Sequence, residues 1–314
     1  MEKYKIQRIQ MIAQRSLKIE WPTSWQDYEL LDSGNQQRLE RFGRYTLVRP
    51  EPHALWAPKW PKKRWYNADA RFEQKKGEDQ GLWLVERPLP EQWIIAYGKL
   101  RFYARLTPFR HTGIFPEQAV NWAWCADLIK QRAKKVRVLN LFAYTGIASL
   151  SAAAAGAEVT HVDASRPAMN WARENQRLSG LQDKPIRWLV DDVVKFVKRE
   201  VRRGSKYDGI ILDPPAFGRG PKGEIWRFSD SMPKLMKELT KVMSKQPLFV
   251  LINAYAISDS ATVLQNLLAD MMTPHQGQLE AGELALKESS GGRLLSTSIF
   301  ARWSEHLCET EREK

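Results

Sequence analysis

Residues 136–146 read Val136-Arg-Val-Leu-Asn-Leu-Phe-Ala-Tyr-Thr-Gly146, and the fold is decided there. Val136–Leu141 is an apolar run of strand length. Thr145–Gly156 follows as a small-residue helix closed by glycine, and Val159-Thr-His-Val-Asp163 is a second apolar strand. A strand, a helix and a strand in this order make a βαβ unit, whose two strands run parallel. The rhythm continues downstream. Arg166–Leu178 is a helix with Pro167 in its first turn, where the missing N–H costs nothing. Then come strand Ile186–Val190, helix Asp192–Arg203, strand Tyr207–Leu212, helix Ser231–Ser244, strand Leu248–Asn253 and helix Ser258–Met272. Strands near 279–287 and 294–303 close the pattern. This alternation predicts an α/β fold, a doubly wound and mostly parallel sheet with helices on both faces. Ligands of such sheets sit outside the carboxyl ends of the strands, so the residues after each strand carry the functional information.

Upstream of this unit the composition changes. The chain has 314 residues and carries 49 Lys+Arg against 36 Asp+Glu, for a net charge of +13. Residues 1–135 hold 25 of those cations against 15 of the acids, and nine of the thirteen tryptophans. Strand-like runs there are Tyr28–Leu31, Arg44–Arg49, Gly81–Glu86, Gln92–Tyr97 and Leu100–Leu106. The expected organisation is a basic N-terminal arm over 1–20, a small Trp-rich β domain over 21–110 and the βαβ domain over 111–314. Residues 56–80, rich in Trp, Pro and charge, are expected to be irregular and mobile. The 43% hydrophobic and 11% aromatic content excludes a disordered chain. No apolar run approaches the ~18 residues of a membrane span, and residues 1–20 lack a secretory core. Cys125 and Cys308 are the two cysteines, which excludes a disulfide framework and a cysteine-built zinc site and points to a reducing compartment. The five histidines are scattered, so no metal is expected.

The strand ends define a candidate site. After the first strand, Asn140-Leu-Phe-Ala-Tyr-Thr-Gly146 keeps one glycine, with Phe142 and Tyr144 in the places a pyrophosphate-binding turn gives to glycine. A ligand without phosphates therefore fits better; an ordinary strand-to-helix turn is the alternative. Asp163 ends the second strand, where a carboxylate can accept both hydroxyls of a ribose or, with Ser165, cap the following helix. Asp191-Asp192 ends the third, followed by Val193. That pair suits an adenine amino group or another helix cap. The fourth ends in Asp213-Pro-Pro-Ala-Phe217. Two prolines after the acid hold the chain extended and remove two donors, leaving a rigid acceptor set beside the stacking face of Phe217.

In this order and spacing, these residues resemble the class I S-adenosylmethionine-dependent methyltransferases. More closely, Val138–Gly146, Val162-Asp163, Asp191-Asp192 and Leu212–Phe217 look like the large-subunit ribosomal RNA methyltransferases that modify cytosine C5 or guanine N7. The likeness covers roughly 110–303. His111-Thr-Gly-Ile-Phe-Pro-Glu-Gln118 is similar to that family's Gly-x-x-x-Asp-Gln-Arg segment, without its aspartate and arginine. Arg293–Arg302 resembles its last, antiparallel strand. The resemblance implies a Rossmann-like sheet, mostly parallel, with S-adenosylmethionine as cofactor. Asn140, Phe142, Ala143, Tyr144, Thr145 and Gly146 would line its methionine end, Asp163 and Ala164 its ribose, and Asp192 and Val193 its adenine. Asp213, Pro214, Pro215 and Phe217 would be the catalytic set, with Asp213 also facing the cofactor.

The chemistry narrows the acceptor. Methylation at cytosine C5 needs a thiolate to add to the ring first, and neither Asp213-Pro-Pro-Ala-Phe217 nor Leu251-Ile-Asn-Ala-Tyr-Ala-Ile257 supplies a cysteine. A base nitrogen fits better. The basic, aromatic front suits phosphate contact and base stacking. The run Lys195, Lys198, Arg199, Arg202, Arg203 and Lys206 reads as a solvated helix face or a phosphate track, and Gly218–Gly223 as a substrate-closing or idle loop. The expectation is a cytoplasmic methyltransferase acting on ribosomal RNA. Its rivals are a protein or small-molecule methyltransferase and an RNA-binding assembly factor without turnover.

Overall fold

The computed structural model describes residues 16–74, 80–255 and 259–306. Residues 1–15 of the expected arm, the 75–79 part of the expected irregular stretch, Ser258 and Cys308 lie outside them. In chain order the elements are β1 (Lys18–Glu20), β2 (Tyr28–Gly34), β3 (Gln37–Phe42), β4 (Tyr45–Pro50), α1 (Lys62–Tyr66), β5 (Ala70–Gln74), β6 (Gly81–Val85), β7 (Gln92–Tyr97) and β8 (Leu100–Arg105). A 3₁₀ turn over Pro116–Gln118 leads into α2 (Ala119–Gln131), β9 (Arg137–Leu141), α3 (Ile147–Ala154), β10 (Glu158–Asp163), α4 (Arg166–Leu178), β11 (Ile186–Val190) and α5 (Val193–Arg203). Then follow β12 (Gly209–Leu212), β13 (Phe217–Arg219), β14 (Ile225–Arg227), α6 (Phe228–Val242), β15 (Phe249–Ala254), α7 (Ala261–Met272), β16 (Gly277–Lys287) and β17 (Leu294–Glu305).

The main sheet has eight strands in the order β1-β16-β17-β15-β12-β9-β10-β11. β15, β12, β9, β10 and β11 are mutually parallel, and β17 enters antiparallel against β15. The strand bodies are apolar at consecutive positions because both faces are covered; all of β12 and β15 is buried. One core lies under α5, α6 and α7, built on Leu141, Ile210, Leu212, Val250 and Ile252. The opposite face packs on α2 and α3 through Val138, Val159, Phe249 and Leu251.

The front carries a five-stranded sheet β2-β3-β4-β5-β6 and the hairpin β7-β8. Its core includes Trp25, Tyr28, Phe42, Trp93 and Phe102, and it is continuous with Trp122, Ile147, Leu150, Leu286 and Leu295 of the main body. Two strands in it were not expected, Gln37–Phe42 and Ala70–Gln74, nor was helix α1. Within the stretch expected to be irregular, 56–61 carry no helix or strand, whereas α1 and β5 are regular elements and correct that expectation for 62–66 and 70–74. The fastening is Asp32, fully buried, whose carboxylate accepts from Lys59 N (3.2 Å), Trp60 N (2.8 Å), Trp65 Nε1 (3.0 Å) and Ser290 Oγ (2.6 Å). A buried carboxylate with four donors is a charge fully compensated by hydrogen bonds. Lys18–Glu20, from the expected arm, adds a parallel strand to the edge of the main sheet at β16.

Candidate active site

The strand order reverses at β9, which has β10 on one side and β12 on the other. That reversal opens a crevice at the carboxyl ends. A cleft lies there, lined among others by Gly113, Phe115, Gln118, Asn140, Phe142 and Asp213. The loop after β9 forms its floor. Phe142, Tyr144 and Gly146 have φ of 57°, 49° and 84°. The backbone thus keeps left-handed conformations at two bulky residues, a strain of order 1–3 kcal/mol each that tends to sit at ligand sites. Gly146 is needed: a Cβ there would stand 2.8 Å from the Ala172 Cβ of α4.

The strain is held by neighbours. Ala143 N donates to Val162 O (3.2 Å), Tyr144 N to Asp163 Oδ2 (2.7 Å) and Gly146 N to Ala143 O (3.0 Å). Thr145 Oγ1 donates to Gly113 O (2.7 Å), and Asn175 Nδ2 to Thr145 O (3.0 Å). Asn140 points into the βαβ interior, where its Nδ2 donates to Ser149 Oγ (2.9 Å), which in turn meets His161 Nδ1 (3.0 Å). Burial drives the His161 pKa down to about 3, so that ring is neutral. Phe142 packs on Trp226 at 4.7 Å between ring centroids, and Phe115 lies 5.8 Å from Tyr144 and 5.0 Å from Tyr255. Of these rings, Phe115, Phe142 and Tyr144 line the cleft.

The two acids at the neighbouring strand ends behave differently. Asp163 accepts from Tyr144 N through Oδ2 and from Ser165 N through Oδ1 (2.8 Å), and burial raises its pKa. Each oxygen keeps a further lone pair. Helix α4 is capped by Ser165, whose Oγ accepts from Ala168 N, so Asp163 is not spent on capping. Ala164 lies between them. Asp192 is the N-cap of α5, accepting from Lys195 N (2.9 Å). Val193 is 3% exposed and belongs to the core. Asp191 pairs with Arg199.

Asp213 stands at the end of β12 with its pKa pushed up to about 7, by burial first and by the nearby Glu117 charge, against a hydrogen bond from Asn253. Asn253 Nδ2 donates to Asp213 Oδ1, and Asn253 Oδ1 accepts from Ser298 Oγ (3.3 Å). Behind them Tyr255 bonds to the buried Glu117 and accepts from Gln118 Nε2 (3.2 Å). Asn253 and Tyr255 were not singled out for the site; the signal was their place at the carboxyl end of the fifth strand. Pro215 O accepts from Trp226 Nε1 (2.7 Å), which fixes the Asp-Pro-Pro turn on the β13–β14 hairpin. Phe217 is 53% exposed at the start of β13. The loop 218–223 is that hairpin's tip, moored to α5 by Glu224 and Lys195 (2.5 Å). Pro214 is buried beside Leu212. Cys125 is buried on α2, and burial pushes its thiol up, out of thiolate range. Among the described residues no group of three or more His, Cys, Asp or Glu side chains is arranged to hold a metal.

Residues 40–268 match the family model described as S-adenosylmethionine-dependent methyltransferase. The chain is 34% identical over 174 residues to the ribosomal RNA large subunit methyltransferase K/L of Shewanella frigidimarina, covering 55% of this chain and 23% of that protein. It is 37% identical over 153 residues to the protein of the same name from Shewanella baltica, covering 48% and 20%. The chain thus spans about a quarter or less of these relatives. A solved S-adenosylmethionine-dependent methyltransferase from Agrobacterium tumefaciens superposes with a TM-score of 0.88 at 44% identity, over 91% of this chain and 93% of that one. SMU.776, crystallised with S-adenosylhomocysteine, shares the fold with a TM-score of 0.69 at 18% identity, over 96% and 79%. No described helix is long and apolar enough to cross a membrane. The mostly parallel sheet with one antiparallel entry, the strained turn after its first strand and these matches agree: the chain belongs to the S-adenosylmethionine-dependent methyltransferase family.

Proposed function

We propose that this chain methylates a nitrogen of a ribosomal RNA base, in the cytoplasm. The observation that carries the reading is Asp213: an acceptor poised near neutrality, oriented by Asn253 and lining the cleft, followed in the chain by Pro214, Pro215 and the exposed ring of Phe217. An exocyclic amino nitrogen of a base must present its lone pair and shed one proton as the methyl group leaves the sulfur. Asp213 accepts the N–H, the carbonyls of the Asp-Pro-Pro turn fix the amino plane, and Phe217 stacks on the ring.

The cleft suits the cofactor. When bound, S-adenosylmethionine supplies a methyl group already activated on a cationic sulfur. The aromatic walls and carbonyls of 142–146 favour a cation, and the spare lone pairs of Asp163 match two vicinal hydroxyls. Asn140, Phe142, Ala143, Tyr144, Thr145 and Gly146 would hold the cofactor's methionine end, Asp163 and Ala164 its ribose, and Asp192 with Val193 its adenine edge. The buried, un-ionised Cys125 supports nitrogen over carbon as acceptor. The relatives named as ribosomal RNA methyltransferases support the substrate class.

The test is mass spectrometry of nucleosides from ribosomal RNA of cells with and without the gene. Loss of one methylated purine is expected. An unchanged nucleoside profile would overturn the reading.

A further inference from the structure

Resting on that reading, we infer that the segment 55–66, a loop running into helix α1, is a preformed docking platform for the RNA flanking the target base. Its sequence is Leu55-Trp-Ala-Pro-Lys-Trp-Pro-Lys-Lys-Arg-Trp-Tyr66. Four cations fall within six positions, and among the described residues Lys59, Lys62, Lys63 and Arg64 form no ion pair. Leu55 and Tyr66 are 76% and 70% exposed. Arg64 lies over the Trp60 ring at 4.3 Å. One exposed aromatic ring, Tyr66, next to a run of unpaired cations matches a single-stranded polyanion that offers phosphates and base faces together.

The loop is rigid by design of its underside. Asp32 clamps it from below through Lys59, Trp60 and Trp65, and Trp56 Nε1 donates to Ser33 O (3.1 Å). Arg293 Nη1 donates to Ala57 O (2.9 Å). A surface loop with nothing to hold needs no such anchorage, and a pre-ordered one loses little entropy on binding.

Its position follows from register. Ala254, at the carboxyl end of β15, pairs with Ile299 of β17. β17 begins five residues earlier, at Leu294, where it pairs with Lys287. The β16–β17 hairpin therefore overshoots the site's edge of the sheet by roughly 16 Å at the usual rise per residue. Ser290 and Arg293, which hold the loop, are at that overhanging tip. The platform thus stands on the same edge as Asp213, within reach of a few nucleotides.

Fluorescence anisotropy with a labelled single-stranded RNA of mixed sequence tests this on the full chain. In the triple variant Lys62→Ala, Lys63→Ala, Arg64→Ala the affinity should fall at least about tenfold, and the slope of log affinity against log salt should flatten by about 2. Tyr66→Ala should weaken binding roughly tenfold with the slope unchanged. Calorimetry with S-adenosylhomocysteine should give wild-type values for both, which reports an intact fold. Wild-type affinity and slope in both variants would overturn the platform, as would a loop that docks on protein instead. A wild-type chain that neither binds RNA nor methylates ribosomal RNA would instead overturn the proposed function.

Discussion

Asn253 Nδ2 donates to Asp213 Oδ1 across 3.1 Å, joining the carboxyl ends of two adjacent parallel strands. Ser298, from the antiparallel strand beyond, bonds to the other end of the amide and so orients it with the NH₂ toward the carboxylate. Three strands thus fix the direction of one acceptor.

Replacing that acceptor separates chemistry from cofactor binding. Asp213→Ala should lower turnover by about 10²–10⁴-fold, the range of a lost acid–base group. Calorimetry should find S-adenosylhomocysteine affinity near the wild-type value. Loss of affinity in step with turnover would assign Asp213 to the cofactor alone.

The pH–rate profile should report the same carboxylate. With its pKa at about 7, activity should climb as pH rises through that value. The Asn253 bond favours the ionised form, so Asn253→Ala should move the rising limb to higher pH. A limb that stays put would break the link between the two residues.

Stability should answer in the opposite sense. Burial raises the folded pKa of Asp213 from 3.8 to about 7. Between these values the folded state binds more protons than the unfolded one, so this group's contribution is full below pH 3.8 and lost as pH rises through about 7. Asp213→Asn should therefore raise Tm at pH 8 by several degrees. Calorimetric scans should show the gap closing as pH falls below about 4.

Gly146→Ala meets two penalties, a left-handed φ and the Ala172 side chain. The expected cost is roughly 2–3 kcal/mol, read as a lower denaturant midpoint, together with weaker binding of S-adenosylhomocysteine. A variant with unchanged midpoint would mean that α4 retreats freely.

Asp32→Ala strips four donors of their acceptor. Hydrogen exchange should speed up through 59–66 and the fold should lose at least about 2 kcal/mol. Exchange at wild-type rates there would show that the clamp is not what orders the loop.

The centre of the main sheet was legible because β12 and β15 are buried along their whole length and read as apolar runs. Helix Arg166–Leu178 and strand Ile186–Val190 coincide with expectation residue for residue. The front was less legible, since Gln37-Arg-Leu-Glu-Arg-Phe42 hides a strand under polar letters. There Glu40, fully buried, lies between Arg38 and Arg49, which hold it ionised below its usual range although burial alone would raise it. A charge compensated in space leaves no trace in local hydropathy. The order of 56–74 depends on Asp32 and on Ser290, 258 residues from it in sequence. At the site, the acids ending β10 and β12 were visible one strand at a time. Asn253 and Tyr255 gain meaning only beside Asp213 and Glu117.

Lys18 pairs with Gly282, and Gly282 leaves no room for a side chain against the Lys18 backbone. The partners are separated by nearly the whole length of the chain, so during synthesis the earlier segment must wait until the later one has left the ribosome. Closure of this seam is a late, high-contact-order event. An enzyme whose proposed substrate is the ribosome's own RNA thus completes its outermost seam only after β16 has been synthesised.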